Sequence, residues 1–422
     1  MERLNNYIGR VNFWRFLLVF SFFLPFISIK SQEHTLNYFL QEGIKNSPLI
    51  KDLNCQINAN QTDSLLVKAM NLPRVDFRGY AYYAPIINHF GYSEVLTNLA
   101  NLTSVISVFQ PIFNKKTIEA NLVKNSIQKQ ALTNSVVLTG NILKKTITAA
   151  YLEAYSTFSD ISVNLELLSF AKEQGKILKS LTESGIYKQT DYLAFILDFQ
   201  GQELELKEMK LQLKKQISDL YVLCGIKDTA TFVPVKPDLG NYSPQLREAL
   251  PMFMRFTIDS LRIKNENLLL DRNYKPSVSW FSDAGLINND PTVIYQNFGL
   301  SLGLNLTLPI YDGSQRKLNR QKQKYEEDIR EGYASAFRKE YDQQLQNWLT
   351  ELEDTEALLP EVNTQVHNLE LLVSEDKELV SKGSGSITDY LIAVKNYISA
   401  RKNLNQYKTR ILQIQNEINY WK

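Results

Sequence analysis

Two periodicities alternate along the chain, and each occurs twice in the same order. Phe298, Leu300, Leu302, Leu304, Leu306 and Leu308 share one face of an extended segment, and Gly299, Ser301, Gly303, Asn305 and Thr307 share the other. Such period-two alternation predicts a β-strand, of the length a tilted strand needs to cross a bilayer. Val278, Trp280, Ala284 and Leu286 mark a weaker strand before it. In the first half, Val75, Phe77, Ala81 and Tyr83 alternate with Arg74, Asp76, Arg78 and Tyr80, while residues 102–110 are β-rich without a clear face. Residues 114–184 and 312–382 are different: each stretch is 71 residues long and almost free of helix breakers. Continuous helices of that length would reach roughly 105 Å.

Shorter helices complete the pattern. One is expected over residues 34–72, stopping before Pro73 because proline lacks an amide and disfavours helix in the residue before it. Others are expected over 190–224 and 388–422. Leu206, Met209, Leu213, Ile217 and Leu220 form a seam on one, and Leu404, Tyr407, Ile411, Ile414, Ile418 and Trp421 on the other. Gly185 and Gly383 stand where a helix C-terminus takes a left-handed residue. Thr190 and Thr388 are expected N-caps, with Asp191 and Asp389 just inside. Pro360, inside the second long helix, should kink it; the matching position in the first half is Ser162. The helices at 34–72 and 190–224, laid end to end, would match one long helix.

Three landmarks point to an internal duplication. Leu72-Pro73-Arg74-Val75 resembles Lys275-Pro276-Ser277-Val278, Gln110-Pro111-Ile112-Phe113 resembles Leu308-Pro309-Ile310-Tyr311, and Thr190-Asp191-Tyr192-Leu193 recurs unchanged as Thr388-Asp389-Tyr390-Leu391. They keep their order at nearly constant offset, which divides the chain into a first repeat at 32–224, a linker at 225–245 and a second repeat at 246–422. Each repeat holds a helix, a strand pair (73–110 or 276–308), a long helix and a further helix. The fold class is mainly α with a small β part. Apolar seams without a globular core, and four strands that cannot close on themselves, require neighbouring chains.

Composition adds an address. Arg3, Arg10 and Arg15 precede an apolar run at residues 16–29, too short to span a bilayer comfortably and interrupted by Pro25. Residues 1–31 read as a secretory signal cleaved near Ser31. The whole chain carries 47 basic and 45 acidic residues. The signal takes away Arg3, Arg10, Arg15, Lys30 and Glu2, leaving a net charge of about −1, with none of the basic excess expected of a nucleic-acid binder. Cys55 and Cys224 form no motif and are read as buried apolar residues rather than a pair. His34, His89 and His367 lack metal-ligand spacing. Gly383-Ser384-Gly385-Ser386 lacks the ending of a phosphate loop and is read as a turn. No cofactor and no enzymatic activity are expected.

These landmarks together resemble the TolC-like outer-membrane efflux family, over about residues 33–422. The resemblance implies a homotrimer whose protomers each give four antiparallel strands to a shared 12-stranded transmembrane barrel, and their helices to a coiled-coil periplasmic tunnel. It implies an exit duct in the outer membrane of a Gram-negative bacterium, serving tripartite efflux or type I secretion. The partners would be a periplasmic adaptor and an inner-membrane pump of RND or ABC type. The turns at Gly185, Ile186, Gly383 and Gly385 would be the adaptor-docking tip. Thr190, Asp191, Thr388 and Asp389 would lie at the gate, six aspartates per trimer. The next turn carries Ile392 where the family can place a second acid. Phe298, Leu300, Leu302, Leu304, Leu306 and Leu308 would face lipid, and Tyr80, Tyr82, Tyr83, Trp280 and Phe281 would form an interfacial aromatic belt. From the residues alone, two alternatives stay open. The strands could make a soluble sheet with one wet face, within a periplasmic coiled-coil scaffold or adaptor. The two aspartates could simply complement helix N-termini.

Overall fold

The computed structural model describes residues 34–92, 100–112, 114–227, 230–240, 247–290 and 292–421. The expected signal segment at 1–31, the landmark residue Phe113 and parts of the linker lie outside them. Elements follow the same order in both halves. The first half has α1 (Leu36–Asn46), α2 (Pro48–Ala69), β1 (Arg74–Tyr83), β2 (Ala100–Ile112), α3 (Lys115–Glu183) and α4 (Gln189–Leu223). The second has α5 (Pro251–Asn273), β3 (Ser277–Asn288), β4 (Phe298–Thr307), α6 (Gln315–Ser381) and α7 (Ile387–Tyr420). The uninterrupted helices α3 and α6 are 69 and 67 residues long, so the breaker-free stretches are continuous helices.

Two local expectations are corrected. The helix expected over 34–72 is two helices. Ser47 caps the second, its hydroxyl accepting from the Ile50 N–H, and Pro48 takes the first helical position, where no amide is needed. Pro360, where a kink is expected, lies inside α6 without interrupting its assignment as one helix. Pro360 and Glu356, the residue whose carbonyl loses its helical partner, are both exposed residues. Of the two cysteines, Cys224 is buried, its thiol pushed up to about 12 by burial, but Cys55 is exposed; both are free.

The short helices line the long ones. Both α2 and α4 pack along α3, and α5 and α7 pack along α6 and α3. Where α4 ends, the Asn46 amide at the end of α1 donates to the Cys224 carbonyl at 3.1 Å. Where α7 ends, Trp421 and Phe253 both meet the ring of Tyr341 on α6, at 5.8 and 5.0 Å. One core gathers Leu36, Phe39, Ile147, Tyr151, Leu220 and Tyr221. The expected linker is packed onto it: Phe232 stacks on this cluster, the Tyr151 hydroxyl bonds both backbone groups of Val235, and the Asn419 amide donates to Leu239. The segment thus straps α3, α4 and α7 together. Phe39 is fully buried at the centre, so Phe39→Ala should destabilise the helical body by about 3–5 kcal/mol, read as a fall in the thermal unfolding midpoint. An unchanged midpoint would show that this cluster does not hold the strap.

Candidate functional site

The four strands form one antiparallel sheet in the order β1-β2-β3-β4. Register decides what its faces carry, because directly paired residues point the same way. Val75 pairs with Val108, Val108 with Ser282, and Ser282 with Leu302; Phe77, Ile106, Ala284 and Leu300 make the next row. One face is therefore mainly apolar across all four strands, interrupted by Ser104, Gln110 and Ser282. The other carries Asp76, Ser107, Asp283 and Ser301 in one row and Tyr80 and Thr103 in another. This resolves β2, whose faces are ambiguous alone. It also splits the expected aromatic belt: Tyr83 and Trp280 lie on the apolar face, while Tyr80, Tyr82 and Phe281 lie on the polar one.

Among the described residues, nothing covers the apolar face. Phe298, Leu300, Leu302, Leu304 and Leu306 are all exposed, Leu302 to 79%; Leu308, also exposed, lies one residue past the end of β4. Among the described residues, β1 and β4 are the edges of the sheet. Among the described residues no helix is long and apolar enough to cross a membrane.

At the far end of α3 and α6 the two tip turns meet. The Gly185 N–H bonds Thr182 and the Ile186 N–H bonds Leu181; Gly383 and Ser384 repeat this with Val380 and Leu379. Both glycines have positive φ, +78° and +74°, as this closure requires. Ile186 sits over Gly383, and the Tyr187 hydroxyl donates to the carbonyls of Gly385 and Val380 at 2.8 and 3.2 Å. A Cβ at Gly383 would stand 2.9 Å from Ile186 Cγ2. Gly383→Val should therefore cost the tip about 1–2 kcal/mol from the left-handed backbone alone, and more from displacing Ile186. Limited proteolysis should cut the variant at the tip sooner than wild type; equal cutting rates would exclude the strain.

The caps differ from expectation. Helix α4 starts after Lys188, and α7 after Ser386, whose hydroxyl accepts from the Asp389 N–H at 3.3 Å. Thr190 and Thr388 are exposed first-turn residues and not caps, since the turns end two residues sooner. Asp191 is half-buried and Asp389 exposed, each in the first turn of its helix.

Two ion pairs join the hairpins and were not anticipated. Lys395 of α7 pairs with Asp198 of α4 at 2.7 Å, and Lys402 pairs with Glu205 one heptad on. Asn405 donates to Asp160 beside the second pair; burial holds the Asp160 carboxyl above its ordinary range. The signal was present as spacing: Asp191, Asp198 and Glu205 are seven apart, as are Thr388, Lys395 and Lys402.

No protein-family model matches this sequence, and no curated protein does. Solved structures do. CusC, described in terms of transmembrane channel formation, superposes with a TM-score of 0.75 at 10% identity, covering 92% of each chain. The outer membrane protein VceC from Vibrio cholerae gives 0.72 at 12%, covering 91% of this chain and 94% of that one. The Campylobacter jejuni CmeC outer membrane channel gives 0.71 at 14%, covering 92% and 86%. The chain has the TolC-like fold. In this fold the uncovered sheet stands at one end of the long helices and the paired tip turns at the other. At these identities the likeness lies in backbone path, and the side chains at sheet and tip must be argued on their own chemistry.

Proposed function

We propose that the protein is one protomer of an outer-membrane exit duct of a Gram-negative bacterium. Three copies close a 12-stranded barrel in lipid and a helical tunnel in the periplasm. The uncovered apolar sheet face carries this reading. In water it would expose a contiguous band of leucine and phenylalanine side chains, far beyond the scattered apolar residues of ordinary surfaces. In a closed barrel that band meets lipid, the polar face lines the lumen, and the edges of β1 and β4 find partners on neighbouring copies. Helix α4 supports the same assembly, with exposed Leu197, Leu204 and Leu211 at heptad spacing awaiting a neighbouring helix.

The duct does no chemistry. Its partners are a periplasmic adaptor, docking on the tip turns around Gly185, Ile186, Gly383 and Gly385, and an inner-membrane pump of RND or ABC type. It serves tripartite efflux or type I secretion. Thr190, Asp191, Thr388 and Asp389 line the periplasmic constriction, and the pairing of α4 with α7 holds it closed. A soluble periplasmic scaffold has no use for the apolar face, so fractionation separates the two readings. The mature protein should sediment with outer membrane and need detergent for extraction; recovery as a soluble monomer would refute the duct. Asp191→Asn with Asp389→Asn should reduce the cation preference of single channels in planar bilayers. Unchanged ion selectivity would place these acids off the pore.

A further inference from the structure

Strands β1 and β4, the two borders of the sheet, are each 10 residues long. Neighbouring strands of the sheet run antiparallel, so in a ring of copies β4 of one meets β1 of the next antiparallel as well. Three conditions limit how these borders can slide against each other. The first is the faces. Leu300 and Leu302 of β4 share the apolar face with Val75 and Phe77 of β1. A slip of one residue would set that face beside Arg74 and Arg78, so the allowed registers differ by two.

The second condition is the backbone. With Phe298 opposite Tyr83 and Thr307 opposite Arg74, both strands pair over their whole length. The next allowed register on either side leaves two residues of each strand unpaired, and open backbone groups are costly in lipid. The third is closure. Within one copy, pairing carries Arg78 through Val105 and Gly285 to Gly299. At the full-length joint Gly299 stands opposite Tyr82 of the next copy, four positions beyond Arg78. Three such steps shift the register by one residue per strand around a ring of twelve. With about 3.4 Å along each strand for about 4.8 Å across, the strands tilt by about 35°. The neighbouring registers would tilt them by about 20° or about 47°, whereas closed barrels fall at about 35–45°.

Side chains on the polar face fit the same register. Gly303 is covered within its own chain, where an added Cβ would stand 2.4 Å from the Phe281 ring, but a Cβ at Gly299 would meet nothing within 4 Å. An aromatic ring from the facing strand covers such a border glycine, and Tyr82 of the next copy is the residue opposite. Ser301 falls opposite Tyr80, and Asn305 opposite Asp76, an amide donor beside a carboxylate.

We propose that copies of this chain join β4 to β1 in this one register, Phe298 opposite Tyr83 through Thr307 opposite Arg74, with Tyr82 of one copy covering Gly299 of the other. The joint exists only in the duct and so rests on that reading.

The test uses the full mature chain with Cys55→Ser, which removes the exposed thiol. Ser301→Cys is combined with Tyr80→Cys, or with Arg78→Cys or Tyr82→Cys, which stand opposite it in the two displaced registers. Registers two apart keep the same class of backbone pair, so the three compare alike. Cβ atoms directly opposite are about 4.5–5.5 Å apart and diagonal ones about 7–8 Å, beyond the reach of a disulfide. Outer membranes are oxidised with copper phenanthroline, and the chains are separated on denaturing gels. Ser301→Cys with Tyr80→Cys should give covalent dimers and trimers, at roughly tenfold the yield of either control. Should that pair fail to assemble, Gly299→Cys with Tyr82→Cys reads the same register. Dominant cross-linking of Ser301→Cys through Arg78→Cys or Tyr82→Cys would overturn the register and leave the duct standing, as would assembled oligomers that no pair cross-links. Wild-type protein found only as a monomer would refute the duct itself.

Discussion

Leu302→Arg should exclude the protein from the outer membrane, while Ser301→Arg, one residue away, should insert normally. Both positions lie mid-strand in β4, but register puts Leu302 on the face continuous with Val75, Val108 and Ser282, and Ser301 on the face with Asp76, Ser107 and Asp283. An arginine against lipid at mid-depth costs about 2–4 kcal/mol, while one in a barrel lumen stays hydrated. The proposed threefold assembly incurs that cost three times, about 6–12 kcal/mol in all, comparable to the whole 5–15 kcal/mol stability margin of a typical domain. The measurement is the share of protein recovered in outer membrane as an oligomer stable in mild detergent. Equal recovery of the two variants would show that the sheet does not face lipid as assigned.

The second large effect is expected at the hairpin pairing. Lys395→Glu with Lys402→Glu turns both α4–α7 attractions into repulsions, against Asp198 and Glu205. Both pairs are partly exposed, so each attraction is worth at most about 1 kcal/mol, and each repulsion about as much. Two rungs reversed give a swing of about 2–4 kcal/mol, enough to move a closed tip that is favoured 100 to 1 close to balance or beyond. Under the hypothesis that this pairing closes the duct, single-channel conductance should rise severalfold. Adding Asp198→Lys and Glu205→Lys restores opposite charges and should restore the low conductance. If the fourfold exchange stays as conductive as the double reversal, the pairs are not what holds the tip.

Much of this architecture was legible in the residues because it repeats and because it is linear. Long helices without breakers need only local information, so α3 and α6 read within a few residues of their ends. Strand β4 read cleanly because it is an edge strand with one face wholly apolar. Strand β2 is central, and its own residues mix Ile106 and Val108 on one face with Val105 and Phe109 on the other; only its neighbours' register decides which face is which. The site was less legible. The aspartates at 191 and 389 stood out because their tetrapeptide recurs, yet the contacts that tie the tips run through Tyr187, Asp198 and Lys395. Those are pairings between segments nearly two hundred positions apart, and heptad spacing offers candidates without saying which stripes meet. Thr190 and Thr388 misled for a simpler reason: a threonine before an acid fits an N-cap, but Ser386 was also available and lies nearer the turn.

The two free strands also shape the protein's life before it works. In a single chain, β1 and β4 each leave alternate backbone groups without partners, beside an uncovered apolar face. The two borders are chemically unlike. β1 carries Arg74, Asp76 and Arg78, whereas β4 holds only leucine, phenylalanine, glycine, serine, asparagine and threonine. If the chain assembles as proposed, a newly made copy is adhesive until its siblings arrive, and its β4 border, with no charge to repel a stranger, is the stickier one. Joining is a multi-body event that slows steeply on dilution, while misjoining needs only one wrong encounter. In the proposed assembly, the helical body, whose core clusters lie within one chain, can form before the ring closes. Escort of unassembled copies, rather than the intrinsic speed of folding, would then set how many ducts a cell can build.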